Sequence, residues 1–191
     1  YGTEQAFDGN EGYHDYNIEP QRYGEDRYVR EDMFGGAFGA FATSGCHFFN
    51  PDHPTYLRIA AIAHLRRRED GIGRTMRSGL CYPREVSICD APFGLPGAGE
   101  VFAWSRVLPY HEVVMALNTH GLESRGADVT VDARVHRQGR LRVLYRAEWS
   151  DARLRQGARE DEAEWVPITH HPDGRATIRV DLPPAGMVIL A

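Results

Sequence analysis

Lysine is absent from this chain of 191 residues. All 22 basic side chains are arginine, set against 27 acids for a net charge of −5. That balance excludes nucleic-acid binding through a basic stripe, because the arginines are scattered, outnumbered and not interleaved with aromatics. The one basic run, Arg66-Arg67-Arg68, suits a helix C-terminus, where cations complement the macrodipole. The missing lysine itself reads as codon bias toward arginine. Cysteine is scarce too: Cys46, Cys81 and Cys89 form no CxxC pair, and an odd count excludes a complete disulfide framework. They read as buried free thiols, which favours a reducing, cytoplasmic setting and leaves an exported protein open.

Long apolar runs are also lacking. The longest, Ile59 to Ala63 and Val113 to Leu117, fall far short of the roughly 20 residues a membrane-spanning helix needs. No HxH or HExxH spacing is present, and His170 and His171, adjacent on a strand, point to opposite faces, so no metal site is expected. No GxSxG elbow, Cys-His nucleophile signature or phosphate-cradling loop occurs. The glycines of Gly94-Leu95-Pro96-Gly97-Ala98-Gly99 precede a strand rather than a helix and read as a connection.

What remains is an ordinary globular composition, 42% hydrophobic and 26% charged, with an unusual start. Residues 1–50 show no strand pattern but hold Tyr13, Tyr16, Tyr23, Tyr28, Phe34, Phe38, Phe41, Phe48 and Phe49. Loops this long are functional or disordered, and this one has too many aromatics for a disordered tail. It is expected to order against a rigid scaffold, so the chain is read as beginning inside a larger protein.

A helix is predicted from Asp52-His53-Pro54 to about Arg68, with Asp52 as cap, Tyr56, Ile59, Ala60, Ala63 and Arg67 as its apolar stripe, and Gly71 as its stop. From Gly79 the pattern changes to short alternating runs: Val86 to Cys89, Val101 to Val107, Glu112 to Thr119, Asp128 to Val135, Leu141 to Trp149, Trp165 to His170, Ala176 to Leu182 and Met187 to Leu190. Their Gly, Pro and Asp breaks predict an all-β antiparallel sandwich. The charge-rich stretch Arg153 to Glu162 reads as a solvated loop or helical turn.

One charged pair stands out in the opening segment. Asp26 and Arg30, four apart in Glu25-Asp26-Arg27-Tyr28-Val29-Arg30-Glu31, would share a side of a helical turn. A carboxylate beside a guanidinium fork suits sugar hydroxyls, which need an acceptor and planar donors. On the residues alone, a surface ion pair of little consequence is the favoured reading.

The order of parts resembles the alpha-amylase family of glycoside hydrolases. Tyr1-Gly2-Thr3-Glu4-Gln5 is similar to the end of that family's eighth barrel strand, and Asp26 through Arg30-Glu31 to its Asp-x-x-x-Arg-Glu. His53-Pro54-Thr55-Tyr56 resembles the start of the last barrel helix. Gly99-Glu100-Val101-Phe102-Ala103-Trp104-Ser105-Arg106 echoes a Gly-Glu-x-x-x-Trp-Ser-Arg segment of its C-terminal domain. Glu11 to Arg22 makes the intervening loop longer than is usual there.

The resemblance implies residues 1–72 as the last loop and helix of a (β/α)8 barrel and residues 73–191 as the C-terminal sandwich. It implies retaining chemistry on alpha-glucosidic linkages, with the three catalytic carboxylates upstream of Tyr1 and therefore none in this chain. Such barrels place their sites at the C-terminal ends of the strands, so residues 1–50 would line the cleft. Asp26 and Arg30 would contact an alpha-glucan or oligosaccharide, with Glu4 and Gln5 supporting the loop. The missing N-terminal barrel would be the partner, and neither nucleic acid nor membrane is expected. No metal or cofactor is assigned to this chain, and calcium is left open for the parent protein. Another class stays open: a non-catalytic β-sandwich module for carbohydrate binding or interaction, presenting Trp104, Trp149 or Trp165. A third, an enzyme complete in this chain through Asp26 and Glu31, has little behind it.

Overall fold

The structure is a computed structural model that describes residues 2–6, 34–35, 44–45, 47, 49–137, 139–158 and 161–191. The chain forms two compact units, Tyr1–Ala60 and Ala61–Ala191. The pair Asp26 and Arg30 lies outside the described residues.

Helix α1 spans Pro54–Arg67. The amide of Thr55 donates to Nδ1 of His53 at 3.2 Å, which satisfies one group at the helix start. The apolar stripe is turned from the one expected. Leu57 and Leu65 are buried while Ile59 is 43% exposed. Leu57, Ala61 and Leu65 recur at helical spacing, and two leucines bury more apolar area than the alanine-rich face does.

Gly71, the expected stop, opens a second helix instead, α2 at Gly71–Ser78. Asp70 caps it by accepting from the Gly73 amide at 3.1 Å and is itself held by the Arg68 guanidinium. Arg77 reaches back to the carbonyls of Arg66 and Arg68 at the end of α1. The two helices are thus joined by a corner in which each orphaned end has a partner. Short length and a glycine at each of positions 71 and 73 hid α2 from propensity reasoning.

Nine antiparallel strands follow: β1 (Leu80–Arg84), β2 (Val86–Ser87), β3 (Val101–Leu108), β4 (His111–Asn118), β5 (Arg125–Val131), β6 (Arg140–Arg146), β7 (Trp165–His170), β8 (Ala176–Leu182) and β9 (Met187–Leu190). They form one sheet in the order β1-β3-β4-β9-β6-β7-β8-β5-β2. The two end strands are consecutive in sequence. The chain pairs with β3 through Leu80–Arg84, bends at Glu85, and pairs with β5 through Val86–Ser87. Thr130 seals the bend by donating its amide, at 3.0 Å, and its hydroxyl, at 3.2 Å, to the Glu85 carbonyl.

The expected two-layer sandwich is therefore a single sheet that nearly closes on itself. The physical reason is the strand that changes sides at Glu85, which gives both sheet ends a neighbour and leaves little edge unpaired. The all-β character holds, with three short helices. Among the described residues α1 is present, but no strand of a (β/α)8 barrel precedes it.

Register places Val101, Ala103 and Ser105 opposite Asn118, Ala116 and Val114, and then Leu190 and Val188 opposite Val114 and Ala116. Across the closed sheet Ala127, Val129, Ile178, Val180 and Leu182 face the same interior, and all of these side chains are buried. The opposite face of β4, with Val113 and Met115, is also buried, and α2 packs on β3 and β4. Burial on both faces explains the unbroken apolar run Val113 to Leu117.

Several expected boundaries move. Leu80–Arg84 was missed because Pro83 sits inside it, which an edge strand tolerates. The strand expected to reach Val135 ends at Val131. The charged stretch after Trp149 holds a short helix, α3 at Asp151–Gln156, capped by Ser150. Cys81 and Cys89 are free but exposed, correcting the buried-thiol expectation for these two, while Cys46 lies outside the described residues: Cys81 lies on β1, and Cys89 adopts a positive φ of 51° in a turn. No helix among the described residues is long and apolar enough to cross a membrane.

Candidate functional site

The opening segment is anchored by a clasp. Gly2 has φ 90°, a left-handed value that favours glycine, and it leads into a 3₁₀ turn at Thr3–Gln5. The turn buries the Gln5 side chain, only 5% exposed, against the backbone of Asn50. Nε2 of Gln5 donates to the Asn50 carbonyl at 3.1 Å and its Oε1 accepts from the Asn50 amide at 2.8 Å, across 45 positions of sequence. A primary amide facing a backbone in this way copies one rung of a β-ladder. Asn50 then accepts the Asp52 amide through its own side chain at 2.9 Å, just ahead of α1. Both ends of the long loop are held together at its base, while Glu4, beside Gln5, is half-buried. The sequence signal was Gly-Thr-Glu-Gln itself, and the partner Asn50 carried none.

A second cluster was not foreseen. Glu112, at the start of β4, points inward and is 3% exposed. Its Oε1 accepts from Arg84 at 2.5 Å and its Oε2 from the Asp132 amide at 2.8 Å. Arg84 also donates to Ser105 Oγ at 2.8 Å. Nε2 of His136 lies 3.0 Å from Oε2, within ion-pairing distance. Burial pushes the Glu112 carboxyl up, but His136, Arg84, Ser105 and the Asp132 amide together outweigh burial and hold it below its ordinary 4.5.

With both oxygens engaged inside the sheet, Glu112 serves as a fixed anion and not as a nucleophile. The acid was legible only as the polar head of an apolar run. Its partners come from β1, β3 and the turn after β5, far apart in sequence.

Asn118 closes the opposite end of the same strand. Its Nδ2 faces the carbonyls of Glu123, Leu182 and Pro183 at 2.8, 3.3 and 2.8 Å, and its Oδ1 accepts the His120 amide at 2.9 Å. One buried polar group thus sits at each end of an apolar interior. Each ties loops to the sheet, as satisfied buried polar groups do.

The tryptophans do not line one face. Trp149 is buried, Trp104 is half-buried on β3, and Trp165 is 42% exposed on β7 with the Arg140 guanidinium 4.3 Å from its ring centre. His171 contacts Thr177 Oγ1 at 2.8 Å and the ring of Phe93. Among the described residues no group of three or more His, Cys, Asp or Glu converges as a metal site.

A solved cyclomaltodextrin glucanotransferase shares this fold. That enzyme has a three-domain ABC distribution, and the superposition gives a TM-score of 0.52 at 14% identity. It covers 99% of this chain and 27% of the other, so the present chain spans about a quarter of the protein it matches. At that identity the likeness shows the fold alone. No protein-family profile matches the sequence, and no curated protein matches it.

Proposed function

We propose that this chain is the C-terminal part of an alpha-amylase-type enzyme that hydrolyses or transfers alpha-glucosidic linkages with retention. The observation that carries this reading is the extent of the structural likeness: the match covers 99% of the chain and 27% of a glucanotransferase. The motif order from Gly2-Thr3-Glu4-Gln5 to Trp104-Ser105-Arg106 points the same way. In this reading residues 1–72 end a (β/α)8 barrel and residues 73–191 form the C-terminal domain. Gln5 and Glu4 hold the base of the loop, and Asp26 and Arg30 contact the glucan.

Retention needs two carboxyl groups about 5–5.5 Å apart across the scissile bond. The described residues assign no such pair, and the catalytic carboxylates belong upstream. Residues 1–191 expressed alone are expected to release no sugar from starch. Extended upstream through a complete barrel, the protein is expected to act with retention, and Asp26→Ala or Arg30→Ala is expected to lower kcat/KM at least about tenfold, a loss of about 1.4 kcal/mol of transition-state binding. Hydrolysis by residues 1–191 alone would refute the fragment reading. Tight glucan binding without any barrel would favour a binding module instead.

A further inference from the structure

Several exposed apolar side chains of the unit Ala61–Ala191 are single residues in turns and loops, such as Leu95, Tyr110 and Leu122. Scattered residues of this kind need no explanation. One group is different. Register sets Pro83 of β1 opposite Trp104 of β3, Trp104 opposite Met115 of β4, Met115 opposite Ile189 of β9 and Ile189 opposite Tyr145 of β6. Directly paired residues share a face of a sheet, here the outer one, because the intervening Ala103, Ala116 and Val188 point into the interior. The next row on that face is Phe102, Leu117 and Met187.

The two rows are covered unequally. Met115, Ile189 and Tyr145 are at most 6% exposed. α2 packs on β3 and β4, and Leu65 of α1 and Leu154 of α3 line one pocket with Tyr145. The other end of the face is open. Phe102 is 42% exposed and Pro83 is exposed, while Trp104, Leu117 and Met187 are half-buried. The Phe102 and Trp104 rings are in contact, with centroids 5.7 Å apart. Arg106, two residues further along β3, donates to the Arg77 carbonyl at 3.2 Å and marks the border with α2.

The five open or half-open side chains carry no charge, and their single polar hydrogen is the indole N–H of Trp104. A sugar would find too few donors and acceptors there, whereas an uncharged, aromatic-rich face suits the core of a protein interface. The helices favour one protein partner. Leu65 of α1 lies against this same face, and in the alpha-amylase-type reading α1 is the last helix of a barrel. The structural match covers 27% of the glucanotransferase, so on that reading about three-quarters of the protein has still to be placed beside α1. Consecutive elements are usually neighbours in space.

We infer that the open end of this face, formed by Pro83, Phe102, Trp104, Leu117 and Met187, is the seat of the preceding barrel, which rests on the alpha-amylase-type reading. Interfaces between domains of one chain bury about 600–1,500 Å². These five side chains would form the dry centre of one.

The test compares residues 1–191 with the protein extended upstream through a complete barrel, by hydroxyl-radical footprinting read by mass spectrometry. Phe102, Trp104 and Met187 should be labelled in residues 1–191. In the extended protein their labelling should fall to the level of buried Met115, while Trp165, exposed on β7, keeps its labelling in both. Phe102→Ser should lower the thermal unfolding midpoint of the extended protein by several degrees more than that of residues 1–191. Trp104 labelled alike in both proteins, or equal losses from Phe102→Ser, would overturn the inference. So would protection that grows with the concentration of residues 1–191 and is absent from the extended protein, which would assign the face to a second copy. Protection that needs added maltoheptaose would overturn it too and assign the face to glucan. The starch assay is read separately. An extended protein that hydrolyses starch with Trp104 still open refutes this interface alone, and one that protects Trp104 without acting on starch refutes only the proposed activity.

Discussion

Glu112 shows how much one side chain can hold in place. An ionised carboxylate inside a sheet is costly unless every lone pair is used, and removing one member of such a set leaves an uncompensated charge, typically 3–5 kcal/mol. Glu112→Ala, which strands Arg84, is expected to destabilise by about that amount in urea unfolding. Its pH dependence has a definite sign. The folded carboxyl lies below its ordinary 4.5, so the unfolded chain takes up the proton first and the contribution of Glu112 is present above that value. It is lost as pH falls through the ordinary range and below. The wild-type urea midpoint should therefore drop more steeply over this interval than that of Glu112→Gln, and parallel curves would refute the assignment. Gln5 is the other residue of this kind. Gln5→Ala should cost about 0.5–1.5 kcal/mol for each bond lost and speed hydrogen exchange at the Asn50 amide.

The corner between α1 and α2 shows where elements take their limits. Helical periodicity predicted α1 within a residue at each end, since proline at its first position and the Arg66–Arg68 run are local signals. The break at Asp70 was hidden because Gly71 read as a stop, whereas a cap three residues before Gly73 starts a new turn. Burial pushes the Asp70 carboxyl up, but Arg68 and the amides of Gly73 and Ile72 overcome it and hold it below its ordinary value. Asp70→Ala is expected to cost about 1 kcal/mol in thermal or urea unfolding, most of it lost helix capping. Asp70→Asn, which keeps the cap and drops the charge, should recover most of that loss. Among the strands, β3, β4, β7, β8 and β9 were legible from alternation or from a continuous apolar run, and β2 lies within the expected run Val86 to Cys89. β1 was masked by Pro83.

For the whole molecule the C-terminal strand is decisive. β9 lies between β4 and β6, with Val188, Ile189 and Leu190 at most 1% exposed. The last strand in chain order thus occupies the middle of the sheet, and Ala191 closes a further rung with Arg142 at 2.7 and 3.0 Å. Truncation after Gly186 is expected to abolish cooperative unfolding by circular dichroism and expose dye-binding apolar surface. A truncated chain that still melts cooperatively would show that the sheet closes without its central strand.

Local pattern was enough for the antiparallel β content, the first long helix and the turn residues, because hydrophobic spacing, proline geometry and chain breaks act between neighbours. It also picked out Gly2-Thr3-Glu4-Gln5 as a motif, since an irregular segment can be recognised by residue type alone. Closure of the sheet, the Asn50 partner of Gln5, and the Arg84, Ser105 and His136 partners of Glu112 came from elsewhere. Each depends on strands far apart in sequence meeting in one register. No local pattern encodes that meeting, because what selects it is the burial of an interior that exists only once the sheet has curved round.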